Sequence, residues 1–98
     1  MLRIREVFYC KPGQAKNLVE KFKKAGDVME KAGGFSGMKI MVDYIATYWT
    51  VILETDVESI DEFEKGMAEY AGNMEVQNAM DGYMDLVEGG RREVFRIM

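Results

Sequence analysis

Apolar and polar residues alternate along the first stretch of the chain. Leu2, Ile4 and Phe8 fall on one side together with Glu6, and Arg3, Arg5, Val7 and Tyr9 fall on the other. This period of two predicts a strand over Leu2 to Cys10, stopped by Pro12-Gly13. From Gln14 the period changes. Ala15, Leu18, Val19, Phe22, Ala25, Met29 and Ala32 recur at three- and four-residue steps, with Lys16, Glu20, Lys23, Lys24, Asp27 and Lys31 between them. That spacing predicts an amphipathic helix, and Gly33-Gly34 supply a left-handed cap. Phe35 to Val42 and Tyr48 to Thr55 alternate again as two strands, and the short link over 43–47 predicts an antiparallel hairpin. A second helix is expected from near Asp56, where two capping boxes compete, Thr55-x-x-Glu58 and Ser59-x-x-Glu62. Val57, Ile60, Phe63, Met67, Tyr70 and Met74 mark its buried face. Gly72-Asn73 interrupts it, and Val76, Ala79, Met80, Tyr83 and Met84 resume the helical period. Glu88-Gly89-Gly90 reads as a turn before a final strand over Arg91 to Met98.

The order β-α-β-β-α-β predicts one α+β domain over residues 1–98: a ferredoxin-like βαββαβ sandwich with a four-stranded antiparallel sheet in the order 4-1-3-2. Strands one and four are then neighbours. They carry the same tetrapeptide, Arg5-Glu6-Val7-Phe8 and Arg92-Glu93-Val94-Phe95. A register with Val7 facing Val94, Arg5 facing Arg96, Tyr9 facing Arg92, Glu6 facing Phe95 and Phe8 facing Glu93 keeps the two glutamates from standing directly opposite each other. It puts Phe95 and Ile97 toward the helices with Ile4, Phe8, Trp49, Val51 and Leu53. The other face collects Arg3, Arg5, Arg92, Arg96 and Lys39 beside Tyr9, Tyr48, Ile52, Met41 and Val94. A solvated face would hold fewer aromatic and branched residues, and a dry core would not hold these charges. A second copy covering the face, around a polar cavity, accounts for both and predicts a homodimer.

Composition narrows the chemistry. The 98 residues are 48% hydrophobic with a net charge of −4 and a pI of about 4.8. The acidic balance argues against nucleic acid and anionic membranes as partners. No apolar run approaches the ~20 residues of a membrane span. One cysteine, Cys10, permits no internal disulfide and suits a cytoplasmic setting. No histidine is present. The commonest general base, metal ligand and haem ligand are therefore lacking, along with Ser-His and Cys-His pairs. The acidic run Asp56, Glu58, Asp61, Glu62 and Glu64 has no calcium-loop spacing and sits at a helix start, where negative charge is favoured. Neither a metal nor a cofactor is expected.

Four stretches carry a resemblance: Arg5 to Gly13, Asp43 to Trp49, Glu58 to Glu64 and Gly90 to Ile97. In this order and spacing the chain resembles the dimeric α+β barrel superfamily, in its NIPSNAP-like branch and more distantly in its antibiotic-biosynthesis-monooxygenase branch. The resemblance implies a homodimer whose two sheets face each other as a barrel. It implies no single activity, since functions in the superfamily range from cofactor-free oxygenation to haem degradation and isomerisation. The haem-degrading branch uses a histidine, which this chain lacks.

The candidate ligand-binding residues are Arg5, Tyr9, Tyr48, Arg92 and Arg96. Guanidinium groups can fork a carboxylate or phosphate, or can pair with Glu54, Asp43 or a partner subunit. Tyr9 and Tyr48 are also the candidate acids if the chain is an enzyme. Trp49 with Tyr48 can stack on a ligand or pack in the core. Cys10 beside Lys11 can be an activated thiol or a small apolar filler, and the methionines can line a pliable ligand pocket or fill the core; core filling is the favoured reading of both. Three functions follow: binding of a small aromatic or anionic molecule in a barrel or sheet–helix cavity, a cofactor-independent monooxygenase or isomerase, and a purely structural dimerisation domain.

Overall fold

A computed structural model describes residues 1–33 and 37–98. The elements run β1 (Leu2–Cys10), α1 (Ala15–Lys31), β2 (Lys39–Val42), β3 (Thr50–Val57), α2 (Ile60–Gly72), α3 (Met74–Ala79), a 3-10 turn (Tyr83–Leu86) and β4 (Val87–Arg96). The sheet order is β2-β3-β1-β4, with every neighbouring pair antiparallel. This is the expected ferredoxin-like α+β order. Gly34 and Phe35, placed above in the first helix cap and at the start of the second strand, lie outside the described residues. Gly33 takes the positive φ of 78° that a helix C-terminus favours.

Local chemistry explains where the elements end. Of the two capping boxes, Ser59 is the one used: its Oγ accepts from the Glu62 N–H at 3.2 Å, and Glu62 reaches back to accept from the Glu58 N–H at 2.6 Å. β3 therefore runs on to Val57 and does not yield to a helix at Asp56. Val57 packs with Ile4 and Phe63, and that burial holds the last residues extended. At the other end of β3, Tyr48 and Trp49 fall outside the strand. Trp49 adopts φ 62°, a left-handed conformation unusual for a bulky residue, and its carbonyl accepts from the Cys10 N–H at 2.9 Å. The helical interruption falls where expected. Asn73 closes α2 and caps α3, its Oδ1 accepting from the N–H groups of Glu75 and Val76 at 2.9 and 3.2 Å.

The expected turn at Glu88-Gly89-Gly90 is instead the start of β4. Gly89 and Gly90 pair with Tyr9 and Phe8, and a bulge between Tyr9 and Cys10 follows. A Cβ on Gly90 would sit 2.2 Å from the Val7 carbonyl oxygen, so this glycine permits close approach of two strands and does not mark a bend.

The β1–β4 register also differs from expectation. Arg5 faces Glu93, Glu6 faces Arg92 and Val7 faces Arg91. The displacement is odd, so every side chain of β4 changes face. Phe95 and Glu93 stand on the open face, and Arg92, Val94 and Arg96 on the helix face. The reason lies in the repeat itself. Run antiparallel, its two Arg-Glu dipeptides face each other reciprocally, with opposite charges directly across at both positions. The expected register would have set Arg5 against Arg96.

Two clusters of buried residues form the core. One joins Cys10, Leu18, Phe22, Ala25, Met29, Val51, Leu53, Val76 and Met80 beneath α1 and α3; the other joins Ile4, Val57 and Phe63 beneath α2. A cleft separates them.

Candidate functional site

The cleft has a volume of about 240 Å³ and lies between the helix face of the sheet and α2. Ile4, Phe8 and Leu53 form its floor, and Phe22, Phe63, Met67 and Met80 its walls. Phe8 and Phe22 stack in a tilted pair with centroids 5.1 Å apart. Alternation along β1 and β3, and helical spacing along α1 and α2, turn these side chains inward.

Polar groups enter this apolar lining at few points. Tyr70 and Tyr83 line the cleft, and neither hydroxyl hydrogen-bonds a described residue. Burial, reinforced by Tyr83, pushes the Tyr70 hydroxyl up to about 12. It therefore stays a neutral donor and acceptor at neutral pH. Glu6, Glu54, Thr55 and Arg92 are the other polar residues of the lining, and Glu54 is paired with Arg3 and Arg5. Arg92 Nε donates to Glu6 Oε1, and the Arg92 guanidinium lies 5.1 Å from the centroid of the Phe63 ring. Glu6, Phe8, Tyr83 and Arg92 also line a second pocket, of about 450 Å³, that opens over Gly89 and Gly90. The ion pair thus stands at the mouth of the apolar cleft.

On the opposite face of the sheet the charges are arranged differently. Arg3 donates to Asp56 at 2.9 and 3.1 Å; Arg5 donates to Glu54 at 3.0 Å and lies 3.8 Å from Glu93. Arg91 donates to Glu93 at 3.2 Å and also to the Tyr9 hydroxyl. Hydrogen bonding from Arg3, with its charge and that of Lys39, holds the Asp56 carboxyl below its ordinary value despite partial desolvation. The guanidinium of Arg5 lies 5.6 Å from the Phe95 ring centroid.

The five candidate ligand residues are therefore not one site. Arg5 and Tyr9 stand on the open face, Arg92 on the helix face at the cleft mouth. Arg96 shares the helix face at the far end of β4, opposite Leu2. Tyr48 is in the hairpin loop, 83% exposed. Arg5 does pair with Glu54, as one reading of the arginines anticipated. The tyrosines inside the cleft are Tyr70 and Tyr83, not the candidate acids Tyr9 and Tyr48. By spacing alone, Tyr70 and Tyr83 have the pattern of helix core residues. The signal for the site was Glu6, a lone carboxylate on the apolar face of β1.

No protein-family model matches this chain, and no curated protein matches it. Solved structures do. A NIPSNAP family protein from Agrobacterium tumefaciens superposes with a TM-score of 0.81 at 14% identity, covering 99% of this chain and 92% of the other. The fold is shared with NIPSNAP proteins. An uncharacterised NIPSNAP-like domain protein from Burkholderia xenovorans gives a TM-score of 0.84 at 12% identity, over 99% and 84% of the two chains. A putative antibiotic biosynthesis monooxygenase from Chloroflexus aurantiacus gives 0.73 at 12% identity, over 99% and 93%. These are the two groups that the sequence resembles. At such identities the likeness establishes the NIPSNAP-like fold alone. Among the described residues no helix is long and apolar enough to cross a membrane, and no group of three or more His, Cys, Asp or Glu is arranged to hold a metal ion.

Proposed function

We propose that this chain is a ligand-binding domain that holds a small aromatic molecule in the cleft between the sheet and α2. The observation that carries this reading is the divided core: aromatic and methionine side chains line about 240 Å³ of space, with few polar groups, among them two tyrosines and the Glu6–Arg92 ion pair. Concave, mostly apolar sites with a few convergent polar groups are where small molecules bind. Thermal unfolding with indole as a neutral probe tests it. Indole raises the melting temperature of the native chain and has no effect on Met67→Trp, whose larger side chain fills the cleft. An equal shift in both chains, or none in either, contradicts the reading.

A homodimer formed through the open sheet face is the second part of the proposal. Met41 and Phe95 are 38% and 48% exposed there, among charges that largely balance. A second copy laid on this face would remove the apolar surface from water while keeping the ion pairs. Sedimentation at micromolar concentration gives the mass of a dimer, and Phe95→Glu gives that of a monomer.

A further inference from the structure

We propose that the cleft ligand is a zwitterion, an aromatic α-amino acid, with its ring between the core clusters, its ammonium on Glu6 and its carboxylate on Arg92. The inference rests on the cleft being a ligand site and goes further by naming the charge pattern that the mouth selects. Glu6 and Arg92 are joined by one hydrogen bond, from Nε to Oε1. The two terminal amino groups of Arg92 and the second carboxylate oxygen of Glu6 hydrogen-bond no described residue. One unused acceptor and a pair of unused donors thus stand side by side at the edge of an aromatic-lined cleft. A cation–π contact, with Arg92 Cζ 5.1 Å from the Phe63 ring centroid, holds the guanidinium at this edge.

Charge decides among the possible ligands. A simple aromatic acid could take Arg92, but its carboxylate would lie against Glu6. A simple aromatic amine could take Glu6, but its ammonium would lie against Arg92. Like charges at a recognition site are penalised, so each singly charged ligand loses at one member of the pair what it gains at the other. An amino acid meets both members at once and leaves neither uncompensated. The other half of the repeat offers no such opening, because Arg5 is already shared between Glu54 and Glu93.

The test is calorimetric titration of the full chain with L-phenylalanine, phenethylamine, 3-phenylpropionate and indole. Phenylalanine binds on the order of tenfold tighter than the amine or the acid. Glu6→Gln then reverses the order in favour of 3-phenylpropionate, and Arg92→Gln reverses it in favour of phenethylamine. A merely structural ion pair would produce neither reversal. Acid or amine binding as tightly as phenylalanine to the native chain overturns the inference, as does an unchanged order in whichever variant folds. If indole binds and phenylalanine is no tighter than its charged relatives, the zwitterion is wrong and the cleft reading stands. If none of the four binds, both fail.

Discussion

The Arg-Glu repeat makes two ion pairs on one strand pair, and the two have little else in common. Arg5–Glu93 stands on the open face of the sheet within a network that also includes Arg3, Glu54, Asp56 and Arg91. Among the described residues Glu6–Arg92 joins no other ion pair; it stands on the helix face beside Phe63 and a largely apolar cleft. The same residues in the same backbone geometry become a lattice of mutually satisfied charges on one side and a pair with spare hydrogen-bonding capacity on the other. Surroundings, and not residue type, separate a network of shared charges from a single pair beside an apolar cleft.

The largest expected effect removes the register on which both pairs depend. Gly90→Ala forces a Cβ against the Val7 carbonyl at 2.2 Å, whereas Gly89→Ala meets nothing within 4 Å. Urea unfolding of Gly90→Ala should show a loss of about 3 kcal/mol, and that of Gly89→Ala a change within about 0.5 kcal/mol. Equal losses would mean that the close approach does not set the pairing.

Next comes function. Glu6→Gln should weaken binding of phenylalanine on the order of tenfold, while Glu93→Gln leaves it unchanged within about twofold. Titration calorimetry on both variants distinguishes the two faces. Equal weakening would erase the contrast between them.

Alkaline unfolding sharpens the picture of the cleft. Tyr70 keeps its proton up to about pH 12 in the folded chain and loses it near its ordinary value of about 10 once unfolded. Between those values the folded state binds more protons than the unfolded state, so stability falls as pH rises. After allowance for solvent screening the loss is on the order of 1 kcal/mol. Tyr70→Phe should flatten that decline in urea unfolding series from pH 10 to 12.

The smallest effect belongs to the open face. Asp56 titrates below its ordinary value because of Arg3, so its contribution is complete above the ordinary carboxylate range and is lost as pH falls through the lowered value. The pair is solvent-exposed, and Asp56→Asn should leave the melting temperature at pH 7 almost unchanged while slightly reducing acid sensitivity. A large drop at pH 7 would mean that this network carries the fold.

Much of this arrangement was legible in the chain. Periodicity located both long helices and the buried face of β1, and the element order with the handedness of the crossovers implied the strand order. Glu6 was visible as the one charge on the apolar side of β1. Its partner was not, because β4 is mixed on both faces and its pattern permits either register. Gly89-Gly90 read as a turn because glycine pairs usually make one; only the close passage of β1 shows their other use. The cleft could not be read from the sequence. Phe63, Met67, Tyr70 and Tyr83 have the spacing of core residues, and whether a core closes or divides depends on how α2 sits over the sheet.

The most direct measurement is a methyl NMR titration of methionine-labelled protein with indole. Met38, Met67 and Met80 line the cleft, and Met41 pairs across from Ile52 on the open face. Saturable shifts of the first three methyl signals with Met41 unmoved are the predicted result. Shifts centred on Met41, or no saturable shift at any methionine, would contradict the assignment of the helix face as the binding side.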